Sequence, residues 1–140
     1  MTHTVGKVEA ASHQLDWAIR LLIDFDAPIP AITLAGAAEE ILGKALGVKS
    51  AHEDLIRGFS QTHSIERKVI SQQHLNKARN WLKHWTPGKE SEYEQFDLLR
   101  EAIQGIARGL SNLAAYNHSL PYEGPRFIEW IQLIIRSDEP

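Results

Sequence analysis

Apolar residues recur at three- and four-residue steps along most of the chain, the signature of helices with one buried face. Val8, Ala11, Leu15, Ala18, Ile19 and Leu22 predict an amphipathic helix over about residues 6–25. "DAPIP" should stop it, because proline lacks a backbone donor and restricts the residue before it. A second helix is expected through "AITLAGAAEEILGKAL", with Gly47 as its C-cap. "SAHE" at 50–53 has the form of a capping box and predicts a short helix through "AHEDLIRGFS". The longest helical candidate runs from Ser64 to Trp85, with Leu75, Ala78, Leu82 and Trp85 as its buried seam. "TPGK" at 86–89 reads as a turn. "SEYE" at 91–94 is a second capping box, which should launch a helix through Phe96, Leu99, Ile103, Ile106, Leu110 and Leu113. After the loop "NHSLPYEGP", "PRFIEWIQLIIR" predicts a final helix with Pro125 in its first turn. No strand alternation, repeat or linker stands out. The expectation is a single all-α domain over residues 1–140, an up-and-down helical bundle of about five to six helices.

Composition narrows the chemistry. The chain has 43% hydrophobic and 24% charged residues, the balance of a globular domain. It has no cysteine, which removes disulfides, thiolate metal sites and thiol catalysis. No apolar run reaches the roughly 20 residues that span a bilayer. "MTHTVGKVEAASHQ" has no apolar core of a secretory signal, so the expected address is the cytoplasm of a bacterial cell, away from membranes.

Charge is distributed unevenly. The net charge is −3, yet Arg57, Arg67, Lys68, Lys77, Arg79, Lys83 and Lys89 face one acid, Glu66, between residues 57 and 89. That segment carries +6, leaving −9 for the rest. His63, His74 and His84 fall in it too. Either one face is cationic and suited to an anion such as RNA, or the charges are spread over solvated faces.

Arginine beside histidine suggests phosphate chemistry: a permanent planar cation next to a group that moves protons near neutral pH. Arg57/His63, Arg67/His74 and Arg79/His84 all qualify, and with eight Arg and seven His such pairs arise by chance. In "RNWLKH" an Asn follows the Arg directly, which the other two pairs lack. Asn80 and His84, four residues apart, share a helical face, where the amide can hold the imidazole in one tautomer. Arg79 and His84 differ by about 140° on a continuous helix. Either the helix ends near here, or a second copy of the chain completes the site. Lys77, Lys83 and Lys89 read as solubilising or RNA-contacting, and Trp81 as packing, a dimer contact or a stacking platform. The remaining histidines form no Glu-x-x-His or His-x-x-x-His pair, so no metal site is expected.

"RNWLKH" resembles the Arg-polar-x-x-x-His signature of the HEPN superfamily, small all-α domains of prokaryotic toxins, defence proteins and RNA-processing nucleases. The number of helices, the late position of the motif and the helix after it fit that pattern. "AAEEILGKAL" is similar to a stretch in some HEPN abortive-infection proteins, with one extra residue here. The order of "QLDWAIRLL", "LAGAAEEIL", "RNWLKHW" and "FIEW" resembles a set of uncharacterised small bacterial proteins. The resemblance implies metal-independent RNA cleavage at a site shared across a homodimer, without a cofactor, in a toxin or defence setting. It also implies a cognate antitoxin or nucleotidyltransferase as partner. His84 would transfer the proton, Arg79 would hold the scissile phosphate, Asn80 would orient the site, and Glu39 or Glu40 would aim Arg79. Many catalytic members carry a Tyr two residues after the His, where this chain has Thr86. That departure, with the acidic overall balance, leaves open a non-catalytic dimer that binds a partner protein or a nucleotide.

Overall fold

The computed structural model describes residues 1–47 and 76–137. Among them the regular structure is helical: α1 (Lys7–Ile23), α2 (Pro28–Leu46), α3 (Lys77–Lys83), α4 (Leu98–Asn117) and α5 (Gly124–Ser137). The Ser50/Glu53 capping box, Leu75, the pairs Arg57/His63 and Arg67/His74, and most of the long helix expected from Ser64 lie outside the described residues.

The apolar periodicity of α1 produces its buried face: Ala11, Leu15, Ala18, Ile19 and Leu22 all enter the core. The helix ends at Ile23, and Asp26 turns the chain in a left-handed conformation at φ 49°. The prolines that follow separate two helices, as expected, but they do so from inside the second. α2 begins at Pro28, because the first turn of a helix has no use for the N–H that proline lacks. It ends where Gly47, at φ 65°, donates its N–H to the Gly43 carbonyl.

α2 is the central element, lying against both α1 and α4. Small residues make that possible. A Cβ on Gly105 of α4 would come within 3.4 Å of the Ala35 Cβ, and Gly109 leaves the room that the Leu15 side chain occupies. Leu15, Ile19, Leu42, Ile106 and Leu113 are fully buried between these helices, each contributing about 1.5–3 kcal/mol.

Two expectations about the second half need correction. "SEYE" does not start a helix. Residues 91–97 are non-helical, and α4 begins at Leu98, capped by Asp97, whose carboxylate accepts the Arg100 N–H at 3.1 Å. Ser91 is instead tied to its own neighbour, its Oγ donating to the Tyr93 carbonyl at 2.6 Å and accepting the Tyr93 N–H at 3.2 Å. Trp85 does not continue the buried seam. Ala78 is buried and Leu82 packs against the core, but Trp85 is 59% exposed. The helix has already ended at Lys83, and beyond that point the 3.6-residue period no longer says where a side chain goes.

The loop at 118–123 and the final helix match expectation, with Pro125 in the first turn of α5. Buried Asp16 of α1 accepts the Glu123 N–H at 2.8 Å, and Phe127 enters the core. The Glu123 carboxylate takes Arg20 Nε at 3.0 Å and Arg126 at 2.7 Å, and Arg126 reaches on to Asp24. That guanidinium holds the Asp24 carboxyl below the usual carboxylate range, against a smaller opposing effect of burial.

Candidate functional site

The break in the helix after Lys83 makes the site. His84 closes α3, donating its N–H to the Asn80 carbonyl at 2.9 Å, and then turns extended at φ −130° and ψ 148°. Pro87 and Gly88 (φ 84°) turn the chain back, with the N–H groups of Lys89 and Glu90 both bonded to the Thr86 carbonyl. The returning strand of chain lies along one face of α3. Between them opens a cleft of about 660 Å³ lined by Lys77, Asn80, Trp81, His84, Lys89, Glu90, Ser91 and Glu94.

Five of these eight residues, Lys77, Asn80, Trp81, His84 and Lys89, are expected from sequence only as separate candidates, and the structure brings them to one cleft. Lys77, Asn80, Trp81 and His84 fall on one helical stripe because they are spaced by three, one and three residues. Trp81 is held from outside: its Nε1–H donates to the Ser91 carbonyl at 3.2 Å and its ring meets Phe96 edge-on at 5.8 Å. Lys77 donates to the Glu94 carboxylate at 3.5 Å and sits 6.0 Å from the Phe96 ring centroid.

Arg79 points elsewhere. Its guanidinium Nη1 donates to the Gly36 carbonyl of α2 at 3.2 Å, and its aliphatic stem lies so close over Gly36 that any Cβ there would overlap Arg79 Cδ. Arg79 and His84 of one chain therefore do not meet in the cleft. Neither candidate acid aims Arg79 through a direct bond. Glu39 is buried and accepts Nε of Arg108 of α4 at 2.9 Å. Glu40 pairs with Lys44 at 3.3 Å, the i, i+4 geometry of a helix surface. Its carboxyl is held below the ordinary range first by the Lys44 hydrogen bond, opposed by burial, with weaker help from the charges of Lys44, Arg79 and Lys83. Lys83 is thus exposed on the Arg79 side of α3, outside the cleft.

Sequence reasoning missed Ser91, Glu90 and Glu94 as lining residues. Ser91 and Glu94 were read as helix-starting groups, and nothing local in the sequence says that the chain doubles back to put them opposite His84. Gly36 was missed as the seat of Arg79, its one signal being the run of small residues in "LAGAA".

The cleft can accept an anion at Lys77 and Lys89, place an apolar ring against Trp81, and offer the His84 imidazole as proton acceptor or donor. Among the described residues no group of three or more His, Asp or Glu side chains is placed to hold a metal ion. None of the described helices is long and apolar enough to cross a membrane. No family model, no curated protein and no solved structure matches the chain.

Proposed function

We propose that the protein is a HEPN-like, metal-independent endoribonuclease that acts as a homodimer. The observation that carries this reading is the convergence of His84 and Asn80 with Lys77, Trp81 and Lys89 on one open cleft. In the proposed step, neutral His84 takes the proton from a ribose 2′-hydroxyl, and the 2′-oxygen attacks the adjacent phosphorus. The P–O5′ bond breaks, and the imidazolium of the partner copy's equivalent histidine protonates the leaving 5′-oxygen. The products are a 2′,3′-cyclic phosphate and a 5′-hydroxyl, with no oxidant, reductant or metal consumed. Lys77 and Lys89 offset phosphate charge, and Asn80 orients the imidazole. Because Arg79 bonds to Gly36 on the far side of its helix, its transition-state role requires a second copy of the chain to complete the site.

The test is cleavage of mixed-sequence RNA in EDTA, with product ends analysed. Wild type should release 2′,3′-cyclic phosphate ends. His84→Ala should lose at least about a hundredfold in rate, the lower range for removing an acid–base group, while remaining folded. Intact RNA with wild-type protein across diverse substrates would sink the nuclease reading.

A second reading has its own support. Arg79 is tethered to α2 and Lys77 is already paired with Glu94, which suits a non-catalytic helical dimer that binds a partner protein or a nucleotide. It expects partner binding that persists in His84→Ala.

A further inference from the structure

Residues 91–97 contradict their own local sequence. Ser91 and Glu94 form the Ser-x-x-Glu pattern that starts helices, in which the serine side chain caps the helix and the glutamate reaches back to the serine N–H. Half of that arrangement is present: Ser91 Oγ accepts the N–H of Tyr93, the bond an N-cap makes to the second residue of its helix. The other half has been taken by α3. The Glu94 carboxylate, needed for the return bond to Ser91, is on Lys77. The Ser91 carbonyl, which in a helix would accept the N–H of Gln95, accepts the indole N–H of Trp81. Phe96 is packed edge-on against the same indole. Among the described residues, three contacts that hold this segment out of a helix are contacts with α3. The others are local, the Ser91 hydroxyl on the Tyr93 carbonyl and the Asp97 cap on the Arg100 N–H, which an extended α4 gives up.

We infer that residues 91–97 are a two-state strap, which either lies across the cleft on Lys77 and Trp81 or folds onto the N-terminus of α4 as an extension of that helix capped by Ser91. An anion arriving at Lys77 displaces the Glu94 carboxylate. The freed carboxylate completes the capping box, the Ser91 carbonyl exchanges the indole for the Gln95 N–H, and the segment leaves the cleft. Lys77, Trp81 and His84 are then open on the side the strap covered. The forces are balanced enough for such exchange: Lys77 and Glu94 are both partly exposed, so their attraction is screened and weak. The segment is acidic, carrying Glu92, Glu94 and Asp97 and no basic residue, so a polyanion in the cleft also repels it. This inference rests on the proposed function only for the nature of the displacing anion, an RNA phosphate.

The discriminating variant is Glu94→Gln. It removes the charge that binds Lys77, yet Gln serves in a capping box as Glu does. In the full chain, Glu94→Gln should move the Cα chemical shifts of residues 92–97 toward helical values. It should also slow amide exchange at residues 95–99 by at least about tenfold. Ser91→Ala in that background should restore the wild-type pattern, because the cap is then lost. A single-stranded mixed-sequence RNA dodecamer added to wild type should produce the same protection as Glu94→Gln. Unchanged shifts and exchange in Glu94→Gln would overturn the two-state strap, as would RNA binding that leaves residues 95–99 as they were. If Glu94→Gln switches but the dodecamer neither binds nor is cut, the strap stands and the ribonuclease reading falls.

Discussion

The two faces of α3 solve opposite problems with similar residues. On the α2 side, Ala78 is buried, Leu82 packs against the core, and the Arg79 stem lies over Gly36, its guanidinium donating to that residue's carbonyl. On the other side, Lys77 and Trp81 meet a strap through one screened ion pair, one hydrogen bond and two ring contacts. A cation on the first face is positioned by shape and cannot leave without opening a gap. A cation on the second is held by a partner that another anion replaces at little cost. Charge alone does not distinguish the faces. The partner does: backbone and packing fix a group, whereas an exposed carboxylate only occupies it.

That contrast breaks most severely where a charge is buried. Glu39→Ala leaves Arg108 without its carboxylate between α2 and α4, and is expected to cost about 3–5 kcal/mol in urea unfolding. Gly36→Ala comes next. The new methyl displaces the Arg79 stem, and because alanine favours helix over glycine, the net loss should be about 1 kcal/mol. In an Arg79→Ala background the same substitution should become neutral or stabilising, and a double-mutant cycle measures the coupling. On the cleft face, His84→Ala should change stability by no more than about 0.5 kcal/mol, because the residue is exposed. If His84→Ala instead unfolds the protein as Glu39→Ala does, the division between a packed face and an accessible face fails.

The smallest effect is one of pH. Asp24 is held below its ordinary pKa of 3.8 by Arg126, and Glu40 below its ordinary 4.5 by Lys44. For a carboxyl lowered in the folded state, the stabilisation is complete above the unfolded value and disappears as pH falls through the folded one. Both contributions are therefore intact at pH 6 and fade below about pH 4. The acid limb of the urea midpoint against pH should be slightly shallower in Asp24→Asn, and an alkaline change in that variant would contradict the assignment.

Much of the fold was legible because burial imposes a period. Leu15, Ile19, Ile106 and Leu113 sit where three- and four-residue spacing puts them, and Gly47 ends its helix as a glycine there should. Legibility stopped where the local code met a tertiary competitor. The Ser91/Glu94 box is a valid helix start, overruled because Lys77 and Trp81 bind the two groups it needs. Trp85 fits the seam only while the helix continues, and His84 ends it. For the site, the angular argument that Arg79 and His84 diverge on one helix was correct in kind. That the arginine would rest on Gly36 was hidden, since a glycine carries no pattern of its own.

The bond from Glu123 N–H to Asp16 spans 107 residues, and Arg126 meets Asp24 across 102. During synthesis, α1 and α2 emerge with their apolar faces complete, but α4 and the anchoring turn of α5 arrive last. Closure of the core must therefore wait for nearly the whole described chain, and long-range pairing of this kind is slow. Until α4 appears, the side of Leu15 that packs at Gly109 is bare hydrophobic surface, which makes the first helical pair the segment that a growing chain most needs to shield.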